Sequence, residues 1–109
     1  AEKPRAAAGF GERLRVRGLG DTAAGLPTAA LADEILTPGA GQVRALIVVG
    51  GNPLTSWPNA AKARRALESL ELLIVVDPML SATARLAHYV FGPRFGFETP
   101  ALTFANEGI

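Results

Sequence analysis

Two groups of residues have the chemistry to hold a nucleotide. Gly50, Gly51 and Asn52 follow one apolar run, and Asp77 follows a second. Glycines let a ligand approach the backbone closely, and an asparagine offers both a donor and an acceptor. In dinucleotide-binding folds, an acidic residue after the second strand hydrogen-bonds a ribose or a base edge. The separation of Gly51 and Asp77 is close to the spacing of about 20 residues that is expected between the glycines and this acid. This pattern favours a nucleotide site.

Two hydroxyl residues extend this candidate site. Thr55 and Ser56 lie close to a predicted helix start, where unpaired backbone amides favour a phosphate. The pattern is neither Gly-x-Gly-x-x-Gly nor a P-loop. The residues alone therefore leave open a nucleotide site and a structural glycine turn followed by a capping aspartate.

Composition excludes several other kinds of site. The 109 residues include no cysteine and one histidine, and the net charge is +1. Disulfides, thiolate zinc sites and iron–sulfur clusters held by this chain are thus excluded, and the charge gives no support for a nucleic-acid partner. We interpret His88 as a surface or hydrogen-bonded side chain. Trp57 is interpreted as a packing residue, with ligand stacking as the alternative.

Helices and strands alternate along the chain and must position these residues. Continuous apolar runs rich in β-branched residues are typical of parallel strands that are buried on both faces. The predicted strands cover residues 45–50, 72–77 and 88–91, and the predicted helices cover residues 27–36, 58–70 and 81–87. This order predicts an α/β fold, a Rossmann-like three-layer unit with a short, mostly parallel sheet.

The ends of the chain carry further expectations. Residues 1–25 are basic and glycine-rich and are predicted to form a partly flexible arm, and residues 26–109 form the domain. No apolar stretch approaches the about 20 residues that a membrane helix needs, and no signal peptide is visible. We therefore expect a cytoplasmic protein without membrane insertion. The first residue is not methionine, which suggests a fragment of a longer chain.

Three short motifs in one order resemble the molybdopterin oxidoreductases of the dimethyl sulfoxide reductase and formate dehydrogenase type. They are LIVVGGNP at residues 46–53, LLIVVD at residues 72–77 and SATARLA at residues 81–87. The resemblance covers residues 26–93. After Ala87 the chain departs from the family pattern, because His88 stands where the family commonly has an acid, which indicates a divergent branch.

The resemblance implies a fragment of a large catalytic subunit, a partial dinucleotide-binding domain that holds the guanosine part of molybdopterin guanine dinucleotide. Gly50 and Gly51 match the loop that lies against the cofactor, and Asn52 matches the loop asparagine that contacts it. Asp77 matches the aspartate that hydrogen-bonds guanine, and Val76 takes the adjoining contact position. Molybdenum and any 4Fe-4S cluster would be held by residues outside this chain, which is not expected to be catalytic alone.

The remainder of the parent chain is the expected partner. A homo-oligomer of the fragment is the other way to cover an exposed sheet edge. Two alternative functions stay open at this point. One is a cofactor-free structural homologue within a respiratory complex, and the other is a generic nucleotide-binding α/β domain.

Overall fold

The computed structural model describes residues 11–22, 24–95 and 98. In chain order its elements are a 3-10 turn at Thr28–Ala30, α1 (Leu31–Leu36), β1 (Ala45–Val49), α2 (Pro53–Ser56), α3 (Ala60–Glu68), β2 (Leu72–Val76), a second 3-10 turn at Ala84–Leu86, and β3 (Tyr89–Phe91). The alternation of helices and strands is thus confirmed. None of the helices in this part of the chain is long and apolar enough to cross a membrane.

The helices differ from the sequence-based expectation in several places. The predicted helix over residues 81–87 is only the 3-10 turn Ala84–Leu86, and the helix predicted over residues 27–36 opens with the 3-10 turn Thr28–Ala30 before α1. The predicted loop before residue 58 contains the single turn of α2, which begins at Pro53 because proline suits the first helical position. The next helix starts at Ala60 instead of residue 58. Asn59 adopts a left-handed conformation there, with φ of 60°, and its Oδ1 accepts a hydrogen bond from Lys62 N at 3.0 Å.

The three strands form a parallel sheet in the order β1-β2-β3. Val48 lies beside Val75 in the first pair, and Ile74 lies beside Tyr89 in the second. Both pairings are parallel, so each pair of strands is joined by a crossover connection rather than by a hairpin. The predicted α/β class with a short parallel sheet is confirmed.

One face of the sheet carries the core. Leu73 and Val75 of β2 are fully buried on this face, in one cluster with residues of α1 and α3. Trp57 is buried in the same cluster, so its interpretation as a packing residue is confirmed. The buried cluster consists of Ala32, Ile35, Val48, Leu54, Trp57, Ala63, Ala66, Leu67, Leu70, Leu73, Val75 and Ala84.

The opposite face of the sheet is apolar and open. Side chains alternate along a strand, so the register places Ile47, Val49, Ile74, Tyr89 and Phe91 on this face. Ile47 is 63% exposed and Val49 is 74% exposed. The expectation that the first strand is buried on both faces is therefore wrong for the described residues. A three-layer unit would have a second layer of helices on this open face, and the described residues do not form one.

Residues 11–22 pack against α1. Leu14 is buried, and its N–H donates to Leu19 O at 2.9 Å within a tight antiparallel turn. Glu34 of α1, only 3% exposed, accepts a hydrogen bond from Val16 N at 2.6 Å and pairs with Arg15 at 3.6 Å. This part of the predicted arm is thus anchored by α1. The boundary at residue 25 stays a prediction, and residues 1–10 lie outside the described chain.

A second carboxylate of α1 ties three parts of the fold together. Asp33 pairs with Arg17 at 2.8 Å and with Lys62 of α3. The hydrogen bond from Lys62 holds the pKa of Asp33 below its usual value, with help from Arg17 and against the opposing effect of burial. The ionised carboxylate therefore stabilises the contact between residues 11–22, α1 and α3.

Candidate functional site

The loop after β1 begins with a glycine in a conformation that other residues disfavour. Gly50 has φ of +60°, and its N–H donates to Val76 O at 2.9 Å. A Cβ added at Gly50 would meet no described atom within 4 Å other than those of its chain neighbours, so the space beside it is open. At Gly51, an added Cβ would lie 3.5 Å from Val48, which is ordinary contact. Backbone conformation is thus what requires glycine at position 50.

Asn52 is held by a residue from the connection between β2 and β3. Its Oδ1 accepts hydrogen bonds from Thr83 Oγ1 at 2.7 Å and from Thr83 N at 3.2 Å. Thr83 is fully buried, and its Oγ1 also accepts from Leu54 N at 3.0 Å. These bonds pin the loop after β1 to the loop after β2. We call this arrangement of Asn52, Leu54 and Thr83 the threonine bridge.

The start of α2 does not present free amides to a phosphate. Leu54 N is bonded to Thr83, and the N–H groups of Thr55 and Ser56 both donate to Asn52 O at 3.0 Å. The Thr55 hydroxyl also donates to Asn52 O, at 3.1 Å. The start of α2 therefore offers none of these three amides to a phosphate, because the chain itself uses them. The phosphate expectation, which concerned a helix start near residue 58, stays a prediction.

Asp77 lies at the end of β2 and keeps acceptor capacity for a ligand. Its N–H donates to Phe91 O at 3.0 Å, and its Oδ1 accepts from Met79 N at 2.8 Å. The latter bond forms a turn that fixes the orientation of the carboxylate. Oδ2 has no partner among the described residues. An ionised carboxylate has about four lone-pair sites, so Asp77 can accept further hydrogen bonds.

The predicted site residues lie at one edge of the sheet. Val49 pairs with Val76, so the strands end side by side, and Gly50, Gly51, Asn52 and Asp77 follow them directly. The carbonyl of Val76 is used by Gly50 N, and its side chain is half-buried on the open face. The structure therefore brings these residues together at the carboxyl edge, where parallel sheets bind ligands.

Thr83 is the residue of this edge that sequence reasoning missed. A signal was available, because Thr83 is a hydroxyl residue among small and apolar neighbours in SATARLA. Its partner Asn52 is 31 positions away, so no local pattern reveals the pair.

Other candidate features lie apart from this edge. His88 Nδ1 accepts a hydrogen bond from Leu73 N at 2.9 Å, which confirms its interpretation as a hydrogen-bonded side chain. Within residues 11–22, 24–95 and 98, no group of three metal-ligating side chains occurs. Two cavities of about 330 and 250 Å³ border α1 rather than the carboxyl edge.

The chain is similar to segments of several oxidoreductase subunits. It is 49% identical over 51 residues to the NADPH-Fe(3+) oxidoreductase subunit alpha of Geobacter sulfurreducens, a match that covers 47% of this chain and 6% of that protein. It is 42% identical over 67 residues to an NADH-quinone oxidoreductase subunit of Rhizobium meliloti, with 62% of this chain and 8% of the relative covered.

A third relative is the F420-dependent formate dehydrogenase 1 subunit alpha of Methanococcus maripaludis. The chain is 37% identical to it over 73 residues, which is 67% of this chain and 11% of the relative. The chain therefore spans 6% to 11% of the length of these three curated relatives. No protein-family model and no solved structure matches it.

Proposed function

We propose that this chain is part of a molybdopterin-dependent oxidoreductase subunit and binds the guanosine end of molybdopterin guanine dinucleotide at the carboxyl edge of its sheet. Its relatives are oxidoreductase subunits, and two of them are formate dehydrogenase alpha subunits. The observation that carries the proposal is Asp77, a carboxylate oriented by Met79 N with one oxygen left for a ligand.

The residues at this edge fit a guanine nucleotide by their donor and acceptor chemistry. Guanine presents N1–H and an exocyclic amine side by side, and a carboxylate accepts from both. Asp77 supplies that acceptor, and the open space beside Gly50 leaves room for the nucleotide against the backbone. Asn52 keeps its Nδ2 donor, and Val76 flanks Asp77 in the strand.

The division of labour follows from this fit. The cofactor, when bound, supplies the redox chemistry through its molybdenum. The residues of this chain bind and orient the guanosine end, with Asp77 on the base and the Gly50 to Asn52 loop against the dinucleotide. The molybdenum ligand and any 4Fe-4S cluster belong to other parts of the parent protein, so the chain alone is not expected to be catalytic.

The same proposal accounts for the open face of the sheet. The chain spans 6% to 11% of the three reported relatives, and its open face carries Ile47 and Val49, both largely exposed. Further residues of a longer subunit would bury this apolar face as a domain interior does. Alternatively, a second copy of the chain would bury this face. A measurement of molecular mass in solution distinguishes the two cases, because only the second makes the 109-residue chain a dimer.

Asp77 provides the test of the proposed function. We expect Asp77→Ala to weaken binding of guanosine 5′-diphosphate by about 10- to 100-fold, because a hydrogen bond to a charged group contributes about 1.5–3 kcal/mol. Asp77→Asn should give a smaller loss and a smaller preference for guanosine over adenosine diphosphate. Titration calorimetry on the 109-residue chain measures both affinities.

Glu71→Ala is the matched control, because Glu71 is an exposed carboxylate just before the other end of β2. It should leave nucleotide affinity unchanged. In a full-length subunit, Asp77→Ala should also lower the molybdenum and guanine nucleotide content. Unchanged affinity and unchanged content in this variant would mean that Asp77 only caps the strand.

One observation favours a second candidate, the cofactor-free structural module. The donors at the start of α2 are satisfied inside the chain, which a module without a ligand also requires. Such a module would bind neither guanosine nor adenosine diphosphate. A generic nucleotide-binding domain would bind both with similar affinity, so the same titrations separate the three functions.

A further inference from the structure

Thr83 lies in the SATARLA motif but has no role in the proposed function described so far. It is fully buried. Its backbone N–H and its hydroxyl both donate hydrogen bonds to Asn52 Oδ1. The hydroxyl oxygen also accepts a hydrogen bond from Leu54 N. A buried hydroxyl with a donor and an acceptor partner has a fixed orientation, because any other rotation loses a hydrogen bond.

This arrangement decides which end of the Asn52 carboxamide faces outward. The oxygen accepts two hydrogen bonds from Thr83, at 2.7 and 3.2 Å. Nδ2 sits on the other branch of the same planar group. It has no hydrogen-bond partner in the described part of the chain, and no unpartnered side-chain nitrogen is buried there. Nδ2 is therefore accessible, and it can only donate.

We propose that Thr83 is a positioning residue that makes Asn52 a dedicated hydrogen-bond donor to an oxygen of the bound nucleotide. This inference rests on the proposed function, since it concerns the same site. The recognised oxygen belongs either to the nucleoside or to a phosphate. An asparagine without the threonine bridge could turn its carboxamide and present an acceptor instead, which would repel a carbonyl or phosphate oxygen and could bond only to a hydroxyl.

The bridge also sets the two loops of the site relative to each other. Thr83 follows Asp77 in the connection between β2 and β3, whereas Asn52 and Leu54 follow β1. Their hydrogen bonds therefore hold the donor of one loop at a fixed place relative to the carboxylate of the other. Holding both groups in place before binding reduces the entropy lost when the nucleotide is ordered.

The test compares two substitutions of Thr83. Thr83→Val keeps the shape but removes the hydroxyl, and we expect it to weaken guanosine 5′-diphosphate binding by about tenfold, the effect of about one hydrogen bond. Thr83→Ser keeps the hydroxyl and should stay within about threefold of the unchanged chain. Hydrogen exchange of the Leu54 amide should accelerate in the valine variant and not in the serine variant, whether or not nucleotide is present.

A double-variant cycle separates positioning from general stability. If Thr83 acts through Asn52, adding Thr83→Val to Asn52→Ala should weaken binding by no more than about twofold beyond Asn52→Ala alone. Full additivity of the two losses would overturn the inference. Binding of guanosine, compared with guanosine 5′-diphosphate, locates the oxygen: a loss seen with both assigns it to the nucleoside, and a loss seen only with the diphosphate assigns it to a phosphate.

Asn52→Asp gives an answer that does not depend on the folding of Thr83→Val. It keeps the oxygen that Thr83 holds and replaces only the outward donor by a second oxygen. Affinity should fall at least as far as in Asn52→Ala, and unchanged affinity would refute a donor role. If the unchanged chain does not bind guanosine 5′-diphosphate, both the proposed function and this inference are overturned. If the unchanged chain binds it and Thr83→Val binds it with the same affinity, only the inference is overturned.

Discussion

The two faces of the sheet carry similar side chains in very different surroundings. On the covered face, Leu73 and Val75 are fully buried in one cluster with residues of α1 and α3. On the open face, Ile47 and Val49 keep most of their surface exposed although they belong to an equally apolar run. The comparison shows that the hydropathy of a strand indicates only that its side chains can be buried. It does not indicate which face of the sheet is covered by other residues of the same chain.

The largest expected effect tests this contrast directly. Leu73→Ala should lower the free energy of unfolding by about 2–5 kcal/mol, because it removes a buried side chain and leaves a cavity. Ile47→Ala, on the open face, should change it by no more than about 0.5 kcal/mol, as is usual for exposed positions. Urea unfolding of both variants measures the difference. Equal losses would mean that the open face is covered in solution.

A smaller effect concerns Glu34, the buried carboxylate of α1 that holds residues 11–22. Glu34→Ala should lower the free energy of unfolding by about 1–3 kcal/mol, because Val16 N would lose its buried acceptor. Glu34→Gln keeps an acceptor oxygen and should cost less. Glu71→Ala serves as the exposed control, since its surface pair with Arg44 contributes at most about 1 kcal/mol. A neutral result for Glu34→Ala would show that the contact between Glu34 and Val16 N contributes nothing to stability.

The smallest effect is pH-dependent. The pKa of Asp33 is lowered below its usual value of 3.8 in the folded chain, chiefly by the hydrogen bond from Lys62. Its contribution to stability is therefore complete above that value and is lost as pH falls through it towards the lower folded pKa. The difference in urea midpoint between the unchanged chain and Asp33→Asn should be largest near about pH 7 and shrink by about pH 3. If the difference in urea midpoint does not shrink at low pH, ion pairing of Asp33 is not the cause of that difference.

Much of the fold could be predicted because the signals are local. The apolar, β-branched runs predicted all three strands, and the helical segments between them predicted the parallel pairing. Each predicted strand was one residue too long. Gly50 leaves β1 in a left-handed conformation, and Asp77 starts the turn closed by Met79 N.

The candidate site was predicted only in part, for a related reason. That Asn52 and Asp77 share one edge follows from parallel strand order, which the sequence indicates. That Leu54 N and the side-chain oxygen of Asn52 are already used does not follow, because both bond to Thr83, which is distant in sequence. Long-range hydrogen bonds of buried side chains leave no periodic pattern in the sequence.

The threonine bridge also has a consequence for rates. Because it ties two loops through a buried side chain, either loop can open alone only by breaking hydrogen bonds to the fully buried Thr83. On the proposed function, a nucleotide that arrives at this edge would meet loops that are already in place and need no rearrangement before docking. Its arrival then depends on diffusion and orientation, while its departure depends on the contacts that must break. Ligands that compete for this edge would thus differ mainly in residence time.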